Sequence, residues 1–359
     1  MADAPKKHDG PLFFDGHNDI LLRLWRKPGP ERLRAWAEGD GEGHLDLPRM
    51  RQGGFGGGMF AIFVPSPDFG TADALMTAPS YDVPLPPPLT RAHALAVSRE
   101  MAGLLIAMAE GSQGRMRLCL TAADIRATMA AGAVAAVMHI EGAEAIGADL
   151  DGLEAFHALG LRSLGPVWSR PTAFGHGVPF RFPSGPDIGP GLTDAGRALV
   201  KECNRLRIMV DLSHLNEAGF WDVARLSDAP LVATHSNVNA LCPSSRNLTE
   251  RQLHAIRDSG GMVGVNFATS FLRSDGQKNP ETALTVMLAH VDALIAALGE
   301  DHVGFGSDFD GATIPQTIGD VAGLGALRAA MRARGYDDAL ARKLAHENWL
   351  GVLDRTQGG

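Results

Sequence analysis

The 359 residues are 45% hydrophobic and 21% charged, which allows a large buried core in one big domain or two ordinary ones. A formal charge of −8 with no basic stripe excludes nucleic acid as an expected partner. Cys119, Cys203 and Cys242 lie far apart with no C-x-x-C pair, which excludes a disulfide framework or a thiolate zinc site and makes them reduced bystanders.

Residues 1–10 carry two lysines but no apolar h-region, and read as a flexible tail ahead of a single domain over residues 11–359. No later window approaches the roughly 20 uncharged apolar residues of a membrane span, so a cytoplasmic chain without membrane contact is expected.

Eight short apolar runs then end in small or polar residues. They are Leu12–Asp15, Met59–Val64, Val134–Ile140, Ser163–Trp168, Ile208–Leu212, Leu231–His235, Met262–Phe267 and Val303–Ser307. Helical patterns fill most gaps, as in Arg91–Glu110, Thr121–Ala131, Thr193–Leu206, Thr249–Ser259, Ala283–Leu298 and Asp337–Leu353. Thr121 with Asp124 and Thr249 with Gln252 have capping-box spacing. Strand and helix alternating eight times predicts an α/β fold, a TIM-like (β/α)8 barrel. A doubly wound open sheet is the runner-up, but it lacks a Gly-rich phosphate turn after its first strand. The glycines of Gly53–Gly58 precede a strand and are expected to turn the backbone tightly, while the Pro-rich Val83–Leu89 reads as an extended connection.

In a barrel the C-terminal strand ends converge on one pocket. Here the first run closes on His17 and Asp19, the third on Glu141, the fifth on His214, the sixth on His235, and the eighth on Asp308 and Asp310. Imidazoles and carboxylates without sulfur suit hard or borderline metals. His44-Leu45-Asp46 has no apolar run before it and reads as structural, and His139, one step deeper than Glu141, reads as core. The set exceeds what one tetrahedral zinc needs, and Glu141 has two oxygens with which to bridge two ions. Two ions roughly 3.5–4 Å apart can share a water, lower its pKa and clamp the oxygens of a hydrolysed bond. Spacing leaves open whether Asp308 is a general base or a ligand.

With these residues in place, the chain resembles the membrane (renal) dipeptidase family of binuclear zinc peptidases, peptidase family M19, especially its bacterial members. The matching segments are DGHND at 15–19, HLDLPRM at 44–50, GGFGGGMFAIFVP at 53–65, IEG at 140–142, DLSH at 211–214, THSN at 234–237, PSSRN at 243–247 and GSDFDG at 306–311. The resemblance implies a (β/α)8 barrel, commonly a homodimer, that cleaves small dipeptides and tolerates a D-residue at the carboxyl end; some relatives also open carbapenem-type β-lactams. It implies two zinc ions per chain, with His17 and Asp19 on one, His214 and His235 on the other, and Glu141 between them. It makes Asp308 the proton-transfer carboxylate and Arg246 the holder of the substrate carboxylate, for which a planar guanidinium fork is well suited.

One position departs. Trp168 stands where many of these dipeptidases have a histidine at the scissile carbonyl, and an indole donates one hydrogen bond but carries no proton. Trp168 is therefore expected to form a pocket wall, with carbonyl polarisation falling mainly to the zinc ions; the alternative is that His176 or Arg170, in the following loop, stands in for the lost histidine. The change keeps a second reading open, another amide or lactone hydrolase on the same barrel. A third is a non-catalytic metal-binding relative, against which Asp308 and Arg246 speak.

Overall fold

Phe13 and Phe14 enter the core at the start of β1, Phe13–Asn18, in a computed structural model that describes residues 10–66 and 76–358. Apart from Gly10, the expected tail lies outside the described residues. Seven more strands follow: β2 (Phe55–Phe63), β3 (Val134–Glu141), β4 (Leu161–Gly165), β5 (Met209–Val210), β6 (Val232–Ala233), β7 (Met262–Asn266) and β8 (Val303–Gly306). All pair in parallel, in the order β5-β4-β3-β2-β1-β8-β7-β6. The two ends meet through a parallel bridge between Asp211 and Val232, where the Leu212 N–H also donates to the Val232 carbonyl at 2.8 Å. The ring is thus a nearly closed TIM-like barrel, and the open doubly wound sheet is set aside.

Each of the eight expected runs contains or overlaps one of these strands. Met116–Leu118 adds a short parallel strand beside the start of β3, and Tyr81–Asp82 pairs antiparallel with Arg181–Phe182 outside the barrel. The six expected helices form, the last as Asp338–Arg342, a π turn at Lys343–Glu347, and Asn348–Gln357. The Thr121 cap is reciprocal: Asp124 N–H donates to Thr121 Oγ1 at 3.1 Å, and Thr121 N–H to Asp124 Oδ2 at 3.0 Å. At the second cap, Thr249 N–H donates to Gln252 Oε1 at 2.9 Å.

Arg91–Gly111 corrects the reading of the membrane signal, since by length and composition it is apolar enough to cross a bilayer. Here Ala94, Val97, Met101, Leu105 and Met108, spaced three or four residues apart, bury one face of it in the core.

The glycine-rich stretch is also corrected. Gly54 does turn the chain, at φ +75°, but Gly56–Gly58 lie inside β2. A Cβ at Gly57 would stand 2.8 Å from Ala135 Cβ on β3 and closer still to the Ala135 carbonyl oxygen, so a side chain is excluded by the neighbouring strand. Gly57→Val should lower stability by at least the roughly 1–3 kcal/mol typical of overpacking, read as an earlier midpoint in a denaturant melt. A wild-type midpoint would show that β2 and β3 separate easily.

Alternate strand positions supply Phe14, Met59, Val137, Met209, Val232 and Met262 to one apolar cluster inside the ring. Trp349, from the C-terminal helix, joins that cluster. It lies against Gly16, Gly264 and Gly304, and its Nε1–H donates to the Phe305 carbonyl at 3.0 Å. The polar residues sit at the opposite end of the strands.

Candidate active site

The strand ends are held by buried polar ties before any ligand is considered. Asp15 accepts from the Ser307 N–H at 2.6 Å and the Ser307 hydroxyl at 2.7 Å, fastening the ends of β1 and β8. Asp211 accepts from the N–H groups of Ser213 and Thr234, both at 2.9 Å, and from the Thr234 hydroxyl at 2.6 Å, fastening β5 to β6. The same Thr234 hydroxyl meets His235 Nδ1 at 2.8 Å, and Ser169 Oγ meets His214 Nδ1 at 3.2 Å, so both imidazoles turn Nε2 inward. This is how outer partners fix metal-binding histidines. His214 and Asp308 have φ of +68° and +58°, a left-handed conformation uncommon for such residues and frequent at functional sites.

Glu141 is the centre of the cluster. Its Oε2 lies 3.7 Å from His17 Nε2, while its Oε1 lies 3.0 Å from His214 Nε2 and 3.6 Å from His235 Nε2. His17 Nε2 is in turn 3.4 Å from Asp19 Oδ2. The two halves touch, with His214 and His235 Nε2 atoms 3.2 Å apart and the His17 and His235 rings stacked at 3.9 Å.

The charges do not balance within the protein. Burial pushes the Glu141 carboxyl up to about 8, and Asp19 and Asp308 add repulsion that His17 and Arg246 oppose. Burial also raises Asp308, reinforced by Asp19. His17 is driven the other way: burial disfavours its charge, yet Glu141, Asp19 and Asp308 push it up to about 10. Burial, Arg246 and His17 hold His214 and His235 well below the usual imidazole range, hence neutral as ligands must be. Both ring nitrogens of His17 are buried without a hydrogen-bond partner among the described residues. Two buried carboxylates, Asp19 and Glu141, and the half-buried Asp308 around orphaned imidazole nitrogens fit divalent cations, whose charge would relieve both costs.

Asp308 joins His17 and Asp19 in one such group, their candidate ligand atoms all within 4.8 Å of one another. Its Oδ2 accepts from Asn266 Nδ2 at 2.9 Å, and Oδ1 faces Asp19 across Gly311, where a Cβ would collide with both carboxylates. Arg246 is buried, with Nη2 donating to the His235 carbonyl at 3.2 Å and the guanidinium 5.4 Å from the Phe271 ring centre.

A cavity of about 510 Å³ opens over the cluster, lined by Asp19, Glu141, His214 and Asp308 at its polar end and by aromatic rings beside them. Trp168 is one of those rings, packed edge-on against Phe63 at 5.0 Å and Phe180 at 5.7 Å. Neither alternative stand-in for a histidine, Arg170 or His176, lines the cavity. Arg170 is fully buried and engaged with Glu144 at 2.6 Å, Ser66 at 2.7 Å and the Val64 carbonyl at 2.6 Å, and it lies 5.3 Å from the Trp168 ring centre. His176 is half-buried, its carbonyl accepting from Asn216 N–H.

The structure therefore gathers His17, Asp19, Glu141, His214, His235 and Asp308, with Arg246 within electrostatic reach. His44 and Asp46 stay outside: Asp310 N–H donates to His44 Nδ1 at 2.9 Å, and Asp46 caps the helix Leu47–Gly53. His139 lies deeper, its Nδ1 on Ser163 Oγ at 2.9 Å and its Nε2 3.7 Å from Asp211, edge-on to His17. Sequence reasoning missed Asn266, Asp211 and Thr234, although DLSH and THSN contain the latter two. It also missed Arg26 and Lys278, which line the cavity.

A barrel that brings buried imidazoles and carboxylates together at the floor of an open cavity is the framework of a metal-dependent hydrolase. The family model for membrane dipeptidase, peptidase family M19, matches residues 8–358, and the chain belongs to that family of metallo-dipeptidases. A metallo peptidase from Rhodobacter sphaeroides, crystallised with a phosphinate mimic of the dipeptide L-Ala-D-Ala, is 64% identical over 97% of this chain and 100% of its own, with a TM-score of 0.95. The dipeptidase AC, a metallo peptidase of family M19, is 64% identical over 98% of this chain and 100% of its own, with a TM-score of 0.96. An uncharacterised protein encoded in the pqqA 5′ region of Klebsiella pneumoniae is 54% identical over 67% of this chain and 89% of its own.

Proposed function

We propose that the chain is a two-zinc dipeptidase acting on small dipeptides, those with a C-terminal D-residue included. The observation that carries this reading is the division of Glu141, one oxygen toward His17 and Asp19 and the other toward His214 and His235. When bound, a metal pair there supplies Lewis acidity and lowers the pKa of a nearby water. Arg246 holds the substrate's free carboxylate in a bidentate grip. Asp308 takes the proton of the attacking water and returns it to the leaving amine, with Asn266 fixing the orientation of its carboxylate. Trp168, Phe63 and Phe180 enclose the substrate and exclude water. The ligand of the Rhodobacter relative, a mimic of L-Ala-D-Ala, supports the small D-terminal substrate.

Elemental analysis after zinc loading should approach two ions per chain, and His214→Ala should lose mainly one, since Glu141, His17 and Asp19 remain. A ratio that never exceeds one would sink the binuclear reading. Turnover of a stereochemically complete dipeptide set then identifies the substrate; lactones or cyclic amides cleaved faster than every dipeptide would replace it.

The aromatic wall sets a further expectation. Trp168→Ala should raise kcat/KM for bulky dipeptides relative to small ones, because it removes a ring that narrows the cavity. Were Trp168 only a packing residue, the substitution would cost about 3–5 kcal/mol of stability and leave the selectivity ratio unchanged. Rates on one small and one large dipeptide, with a thermal melt, separate these outcomes.

A further inference from the structure

The cavity has a cationic edge that the reaction itself does not use. Asp19, Leu22 and Arg26 all line the cavity, and their spacing of three and then four residues puts them on one face of the short helix Ile20–Trp25. Asp19 is the residue before that helix and Arg26 the residue after it, so the face runs about 10 Å, from the metal cluster to the mouth, at 1.5 Å per residue. Leu22 is buried and Arg26 exposed.

Arg26 has no carboxylate within ion-pair distance among the described residues, whereas its cationic neighbours are committed. Arg23 Nε is held by Asp310 at 3.0 Å, and Lys27 by Asp40 and Glu42, both at 2.7 Å. An arginine on the wall of a substrate cavity, beyond an apolar step and without a carboxylate partner among the described residues, is placed to read an anionic group at the far end of an aliphatic stem.

The direction of the substrate decides which group that is. In the reading above, Arg246 takes the C-terminal carboxylate, and its guanidinium lies against Phe271, one of the rings that line the cavity. A dipeptide running from there across Glu141 ends with its free amine near Asp19 and Asp308, whose carboxylates suit an ammonium. Its N-terminal side chain then extends along Leu22 toward Arg26.

We infer that Arg26 is a specificity-determining residue that selects dipeptides with an acidic N-terminal side chain, glutamyl or aspartyl, ahead of a small C-terminal residue. The inference rests on the dipeptidase reading and adds a substrate class to it. The neutral isostere is the informative comparison, because L-Glu-D-Ala and L-Gln-D-Ala differ in charge and hardly in shape.

The experiment measures kcat/KM for L-Ala-D-Ala, L-Glu-D-Ala and L-Gln-D-Ala with zinc-loaded wild type and with Arg26→Gln. Wild type should favour the glutamyl over the glutaminyl substrate by roughly five- to tenfold, at or just above the range of a partly exposed ion pair. Arg26→Gln should bring the ratio close to one, and Arg26→Glu should invert it while improving L-Lys-D-Ala over L-Gln-D-Ala. A wild-type ratio near or below one, or a ratio that survives Arg26→Gln, overturns the assignment while L-Ala-D-Ala turnover leaves the dipeptidase reading standing. Failure of the wild type to cleave any of the three overturns both.

Discussion

Asp308→Asn is expected to lower kcat by about 10²–10⁴-fold, the range that a positioned acid–base group contributes. The amide keeps the size of the carboxylate and can still accept from Asn266 Nδ2, so the fold and the cavity should be unchanged. What it loses is the ability to take a proton from water and pass it to the leaving amine. Because Asp308 shares a ligand-sized cluster with His17 and Asp19, metal content has to be measured beside the rate. Full metal with little turnover supports proton transfer. Loss of one ion in step with the rate would make Asp308 a ligand, and near-normal turnover would move the base elsewhere.

Removing the partner of Arg246 should be comparably severe. Its guanidinium is buried, its Nε has no hydrogen-bond partner among the described residues, and burial brings it down to about 10 despite the opposing pull of Asp308 and Glu141. A substrate carboxylate would supply the missing acceptor. Amidating the C-terminus of a dipeptide leaves the scissile bond intact and removes that acceptor, at a cost of about 2–5 kcal/mol for unpairing a buried charge. The expected fall in kcat/KM is therefore roughly 30-fold or greater. Arg246→Lys should fail to restore wild-type rates, because a point charge lacks the bidentate fork. Equal rates on the acid and the amide would refute the assignment.

The barrel was readable because each of its strands is a short apolar run closed by a polar residue, and the metal cluster because those closing residues are of one chemical kind. That His17, Glu141, His214 and His235 would meet at one end of the barrel could be read without a structure for that reason. The helices Gly29–Glu38 and Leu324–Ala333 were not, because each buries only a narrow stripe among charged and small residues, Ala35 and Trp36 in the first and Leu324, Leu327, Arg328 and Met331 in the second. Gly56–Gly58 were misread because glycine marks a turn and a close strand approach with the same letter, and only the distance to Ala135 separates them. Asn266 and Arg26 were missed for a different reason. One ends an apolar run as an ordinary amide, the other sits past a six-residue helix as an ordinary surface charge, and each gains meaning from what lies across the cavity.

Trp349 gives the chain a timetable. All eight strands have been synthesised by Gly306, yet the apolar floor beneath them lacks its largest ring until some forty residues later. At translation rates of about 5–20 residues per second, that interval lasts roughly 2–9 s. During it the nascent chain holds every candidate ligand but has not yet sealed the base of the barrel. A chain halted before residue 349 has cleared the ribosome is therefore expected to lack a sealed barrel floor and to remain protease-sensitive however much divalent metal is present.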